Sequence, residues 1–187
     1  MRIVCLSDSF KGSLDSGRIG LLAEQAAKKV WDEVSVKTLP VADGGEGTVE
    51  AVVKAVGGKR EFCTVSDPLG RGVTAEYGIL DENTAVMEMA AAAGLPLLTE
   101  EEKNPMRTST YGVGQMLLHI LDRGCRKIYM GLGGSATNDC GMGFLQALGV
   151  IFRDKSGNIL DGSGRAMGMA EKCWRLWRQE LLILSGR

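Results

Sequence analysis

The sequence predicts an α/β fold with mainly parallel sheets and flanking helices, on three observations. Short apolar runs alternate with longer stretches whose apolar residues recur at helical spacing. The runs Ile3 to Leu6, Val34 to Leu39 and Lys127 to Met130 each lead into a loop of glycines, hydroxyls and acids. Buried parallel strands do this when they deliver polar residues to a crevice at their carboxyl ends. No solenoid-type repeat interrupts the alternation.

Each element has its own signal. Ile3-Val4-Cys5-Leu6 is continuously apolar and stops at Ser7-Asp8, which predicts a first strand with Asp8 at the edge of a site. Ile19, Leu22, Ala23, Ala26 and Val30 then mark one helical face, with Ser13 or Ser16 as its N-cap. Val34, Val36 and Leu39 alternate as a second strand. The loop Pro40 to Thr48 follows, and Val49, Val52, Val53 and Val56 continue as a helix stopped by Gly57-Gly58. Glu61 to Val65, Val73 to Leu80 and Thr84 to Met89 read as strands. They are separated by the turn signals Asp67-Pro68-Leu69-Gly70 and Asp81-Glu82-Asn83, and a domain boundary is placed near Pro68. Ala90 to Ala93 forms a short helix and Thr99 to Asn104 a solvated acidic connection. Ser109 or Thr110 caps a helix carrying Val113, Met116, Leu117, Ile120 and Leu121 and ending at Gly124. Beyond the loop that starts at Gly131, Met142, Leu145 and Leu148 recur at helical spacing. Val150-Ile151-Phe152 and Ile159-Leu160 flank Asp154-Lys155-Ser156-Gly157, a hairpin signal.

The composition, 44% hydrophobic and 24% charged over 187 residues, is enough for one substantial core or two small ones. A net charge of -1 without a long like-charge block lacks the electrostatic footprint of a nucleic-acid or membrane-surface binder, so a small-molecule partner is expected. Five cysteines (Cys5, Cys63, Cys125, Cys140, Cys173) without a C-x-x-C pair read as buried thiols in a reducing compartment. The apolar stretch at the N-terminus is too short for a signal peptide and no segment reaches transmembrane length, so the expected location is cytoplasmic.

The loops carry the chemistry. Gly131-Leu132-Gly133-Gly134-Ser135-Ala136-Thr137-Asn138-Asp139 joins a strand to a helix, where unpaired N–H groups and the absence of Cβ atoms favour an anion. Ser135 and Thr137 add hydroxyls, and Asp139 can hold a cation. With acids, a lysine, glycines and little histidine, the set suits phosphoryl transfer. In that reading Asp8 or Asp43 acts as base or binds Mg²⁺, Lys11 neutralises phosphate, and the 133–138 backbone cradles it. Plainer readings stand beside these: a solvated Lys11, helix caps at Asp8 and Asp43, a tight turn for Gly44, Gly45 and Gly47, and a surface position for His119. There is no G-x-x-x-x-G-K-[ST], and Gly131-x-Gly133-x-x-Ala136 fits the relaxed dinucleotide pattern only weakly, leaving NAD binding as a minor alternative.

Taken as a set, Asp8-Ser9-Phe10-Lys11-Gly12-Ser13-Leu14, Pro40-Val41-Ala42-Asp43-Gly44-Gly45-Glu46-Gly47-Thr48 and the Gly131 to Asp139 run resemble, in order and approximate spacing, the signature stretches of the bacterial type I glycerate kinases, the glycerate 2-kinase family. Asp67 to Gly70 and Asn104 to Gly112 are similar to further segments of it. The resemblance implies ATP- and Mg²⁺-dependent phosphorylation of D-glycerate to 2-phosphoglycerate. It implies catalytic roles for Asp8, Lys11 and Asp43. It also implies substrate or phosphate contacts for Ser9, Gly44, Gly45, Glu46, Gly133, Gly134, Ser135, Thr137, Asn138 and Asp139, with the metal ligands unassigned. It further implies a Rossmann-like outer domain opening over residues 1–67 and part of an inserted flavodoxin-like α/β domain over 68–163, with the site in the cleft between them. Residues 164–187 are read as a tail unlike the family, in which Trp174, Trp177 and Leu181 share one face of an amphipathic helix. Members of the family are much longer, so a truncation or frame change near residue 164 is expected. A non-catalytic binding or assembly fragment of a disrupted kinase is the alternative.

Overall fold

A computed structural model describes residues 1–8, 10 and 13–175. The chain opens with β1 (Arg2–Ser7), α1 (Ser16–Val30) and β2 (Ser35–Pro40), and the two strands pair in parallel from Arg2↔Ser35 to Ser7↔Pro40. The helix packs on both strands. Alternation along β1 leaves Ile3 and Cys5 half-buried, while Val4 and Leu6 stand 59% and 62% exposed on the other face. The N-cap of α1 is Asp15, not Ser13 or Ser16. Its carboxylate accepts the Arg18 N–H at 2.8 Å, and Ser16 is already the first helical residue.

A second sheet follows α2 (Thr48–Val56). Its strands are β3 (Lys59–Ser66), β4 (Gly72–Ile79), β5 (Thr84–Glu88) and β6 (Lys127–Gly131), in the order β3-β4-β5-β6. Parallel pairing holds where a helix can cross over, at β1/β2 and at β5/β6. The short turns at Asp67–Gly70 and Asp81–Asn83 instead fold β3, β4 and β5 back on one another as antiparallel neighbours, so the sheet is mixed. The boundary expected at 67/68 lies inside the β3–β4 hairpin.

On one face, α4 (Tyr111–Asp122) sets Val113, Met116 and Ile120 against Cys63, Val65, Ala75, Tyr77, Ala85 and Met87. On the other, Val49 and Val53 of α2 cover Val86. Strand β5 is therefore buried along its whole length. His119, expected at the surface, stacks edge-on against Tyr77 with ring centroids 5.7 Å apart. Cys63 and Cys125 are buried and burial pushes both thiols up, but Cys140 is exposed because it lies on the loop before the next helix.

The last described part contains α3 (Ala90–Ala93) behind β5, then α5 (Met142–Ala147), β7 (Val150–Arg153), α6 (Gly164–Met167) and β8 (Lys172–Arg175). The expected hairpin forms around Asp154 and Gly157, with Leu160 N–H donating to the Phe152 carbonyl at 3.0 Å. The main partner of β7 is nevertheless β8, antiparallel from Val150↔Arg175 to Arg153↔Lys172. Trp174 therefore lies in a strand and not in the expected helix, since pairing with a distant strand competes with a local helical pattern. Trp177 and Leu181 fall outside the described residues. Met142, Phe152, Leu160 and Ala166 form a small second core.

Two buried carboxylates fasten this framework. Asp139, 1% exposed, accepts the Thr110 N–H and hydroxyl at 2.8 Å each, the Gly143 N–H at 3.1 Å and the Gly141 N–H at 3.0 Å. The Thr110 hydroxyl oxygen in turn accepts the Phe144 N–H at 2.9 Å, so the first turns of α4 and α5 share one knot. Asp67 accepts the Leu69 and Arg71 N–H groups and the Arg71 guanidinium, which also reaches Glu102. Burial works against the Asp67 charge, but the Arg71 N–H and guanidinium and the Leu69 N–H outweigh it and hold the carboxyl below its ordinary value.

Asp139→Ala strands the backbone donors of Thr110, Gly141 and Gly143 and is expected to cost about 3 kcal/mol or more in urea denaturation, since each unpaired buried donor is penalised separately. A carboxyl whose folded pKa lies below its unfolded one stabilises the fold above the unfolded value and loses that contribution as pH falls through the folded one. Stability measured from neutral pH downward should therefore fall on the acid side less steeply in Asp67→Asn than in the unmodified chain.

Candidate functional site

The second and third signature loops meet backbone to backbone. Gly133 N–H donates to the Gly44 carbonyl at 2.8 Å. A Cβ at Gly133 would lie 2.8 Å from Cα and N of Gly45, and one at Gly131 would collide with the Gly44 carbonyl. Glycine is required here so that two main chains can touch. The 131–136 segment is also pinned from behind. Met89 N–H donates to the Gly131 carbonyl at 2.9 Å, Leu95 N–H to the Gly134 carbonyl at 3.1 Å, and Ala136 N–H to the Ala93 carbonyl at 2.8 Å.

Asp43 shapes its own loop, accepting the Gly45 N–H at 2.8 Å through Oδ1. Thr48 then donates its hydroxyl to the Gly45 carbonyl at 2.7 Å as the chain enters α2. The N-terminus of α2 is held by Glu88, which sequence reasoning missed. At the end of β5, its two oxygens accept the Gly47 N–H at 3.2 Å and the Val49 N–H at 3.0 Å. Burial pushes this carboxyl up, and the backbone donors pull against that shift. The signal available was an acid closing an otherwise apolar strand.

Ser135 and Thr137 join hydroxyls at 2.8 Å, and Ser135 Oγ accepts the Thr137 N–H at 3.1 Å. Asn138 is exposed beside them. The first turn of α5 gives its Gly141 and Gly143 N–H groups to Asp139 and its Phe144 N–H to Thr110. These helix-terminal donors, the basis for expecting an anion there, are satisfied from within the chain. In front of the loop is a cavity of about 410 Å³ whose lining includes Ser135, Thr137, Asn138 and Asp139.

Asp8 follows β1 and lines a cleft of about 850 Å³ together with Glu46, Arg18 and Lys54. Glu46 and Gly47 also line a neighbouring cavity of about 600 Å³ with Glu76 and Glu88. Ser9 and Lys11 lie outside the described residues. The structure thus brings Gly44, Gly45, Gly133 and Gly134 into one ridge. It sets Asp8 and Glu46 on one cleft and the Ser135 to Asp139 groups on another cavity. Among the described residues, no group of three or more histidine, cysteine or acidic side chains converges as a metal cage, and no helix is long and apolar enough to cross a membrane.

Comparison with known proteins identifies the family. The family model described as the glycerate kinase family matches residues 3–175, running past Gly164. A glycerate kinase of Halalkalibacterium halodurans is 44% identical over 170 residues, 90% of this chain and 45% of its own length. The glycerate 2-kinase of Escherichia coli K12 is 41% identical over 168 residues, 89% of this chain and 44% of its own. The crystal structure of a candidate glycerate kinase 2 from Salmonella typhimurium LT2 superposes with a TM-score of 0.74 at 40% identity, over 92% of this chain and 46% of that one. The chain spans less than half the length of these relatives. The match over nearly all of its described residues shows that it belongs to the glycerate kinase family.

Proposed function

We propose that this chain carries the substrate-facing loops of an ATP-dependent kinase that phosphorylates D-glycerate to 2-phosphoglycerate. The observation that supports the reading most is the Gly133–Gly44 contact, which unites two of the three family loops into one wall. In this reading the chain combines the opening of a Rossmann-like domain with part of an inserted flavodoxin-like α/β domain.

The reaction needs a base for the attacking hydroxyl and cations for the phosphates. Asp8 or Asp43 takes the proton as the glycerate oxygen bonds to the γ-phosphorus of ATP and the bond to ADP breaks. Lys11 meets the phosphate charge. Ser9, Gly44, Gly45, Glu46 and the 133–139 segment orient the two substrates. The carboxylates of Asp8 and Glu46 on one cleft are the donor type Mg²⁺ prefers, in the one-or-two-carboxylate pattern that phosphate oxygens and water complete. When bound, Mg²⁺ would neutralise charge on the phosphates.

A second reading, a non-catalytic binding or assembly fragment, is favoured by the uncovered face of the β1–β2 sheet, where Val4, Leu6 and Leu39 are exposed. The purified 187-residue chain, incubated with D-glycerate, ATP and Mg²⁺, separates the two. Turnover to 2-phosphoglycerate supports the kinase; a folded, monodisperse and inactive sample supports the fragment. In an active chain, removing the base by Asp8→Asn or Asp43→Asn should lower kcat about 10²- to 10⁴-fold, with the other substitution raising the Mg²⁺ requirement. Gly133→Ala forces the two loops apart and should lower kcat/KM about 10²-fold. That loss should exceed any fall in Tm, which is read in the same samples.

A further inference from the structure

The cavity in front of the Ser135 to Asp139 segment opens at the carboxyl ends of the parallel pair β5 and β6, where ligands of α/β sheets bind. Its walls are not those of a phosphate site. Met89, Val113, Met130 and Phe144 supply two thioethers, an aliphatic side chain and a ring, and Leu132, 68% exposed, forms the lip. Ser135 and Thr137, whose hydroxyls are bonded to each other, and Asn138 also line it. The one charged group, Asp139, has both oxygens filled by Thr110, Gly141 and Gly143.

Such a lining suits an uncharged, flat, polarisable body with hydrogen-bonding atoms on its rim. Thioethers and a phenyl ring favour π surfaces, and hydroxyl and amide groups read a heteroatom edge. Acids gather elsewhere: Asp15, Glu46, Glu50, Glu76 and Glu88 line the cavity of about 600 Å³ reached by the Gly44 to Gly47 loop.

We infer that the cavity beside Ser135 and Thr137 takes the purine base of the nucleotide, so that this loop reads the base while phosphate chemistry falls to the Asp8 and Asp43 loops. The assignment rests on the kinase reading above and specifies which end of ATP this loop holds.

Methyl-¹³C methionine NMR on the full chain tests it, with Met89→Leu and Met130→Leu identifying the two resonances. Adenosine, which carries no phosphate, is expected to bind and shift both methyl signals, ATP to shift the same two, and inorganic pyrophosphate to leave them in place. Leu132→Glu alters an exposed lip residue and should weaken adenosine binding by at least about tenfold, because a carboxylate beside an apolar ligand face loses hydration. ATP binding that leaves both methyls unmoved, or binding of ATP without adenosine, would overturn the base assignment and leave the kinase reading intact. A folded chain that binds neither ATP nor adenosine overturns both.

Discussion

The contact between Gly44–Gly45 and Gly131–Gly133 is the constraint on which the candidate site depends. One loop follows the parallel β1–β2 unit and the other leaves the edge strand β6, so nothing in their local geometry obliges them to meet. They meet because neither carries a Cβ at the point of approach, and a single main-chain hydrogen bond then fixes their spacing. Any side chain at Gly131 or Gly133 enters space held by backbone, which cannot rotate away as a flexible side chain would. The glycines of both loops therefore have a structural duty before any ligand arrives.

Around that contact, carboxylates hold helix ends that would otherwise have unpaired donors. Glu88 fills the start of α2, Asp139 the start of α5, and Asp15 the start of α1. The first two are themselves buried, at 8% and 1% exposure, so their charges are tolerated only because several N–H groups converge on each. This changes the electrostatics of the site. The helix termini nearest the glycine ridge are closed by anions of the chain itself, so their N–H groups are already occupied.

Local signals were legible in the sequence where they act locally. Asp67-Pro68-Leu69-Gly70 and Asp81-Glu82-Asn83 mark real turns, the Val49 and Val53 spacing marks the buried stripe of α2, and Met116 and Ile120 mark that of α4. Pairing direction was less legible, because a short turn and a domain linker use the same residues; only the register of β3 on β4 shows which is present. The side-chain partners of the site were not legible at all. Glu88 acts on a helix 41 residues away in sequence and Thr110 on a carboxylate 29 residues away, and no periodicity encodes such distances. The expectation that Asp139 offers a cation site followed from its residue type and loop position. Its four donors come from the N-terminal ends of two helices, α4 and α5, that only the fold brings together.

The two halves of the site are unequally anchored. The Asp43 loop is tied through Glu88 and Gly133 to the four-stranded sheet, whose central strand is buried on both faces. Asp8 instead follows β1, in a unit whose strands and helix pack chiefly on one another and whose far face exposes Val4, Leu6 and Leu39. Parallel sheets are ordinarily covered on both faces, and covering apolar surface is favourable by about 25 cal/mol for each Å² removed from water. The position of Asp8 relative to the glycine ridge is thus coupled to what occupies that face. A covered face holds the β1 unit, and with it the Asp8 carboxylate, against a fixed wall. An uncovered one leaves the wall intact and the approach of Asp8 governed by fewer contacts. The glycine ridge and the Asp8 carboxylate therefore draw on different parts of the packing of this fold.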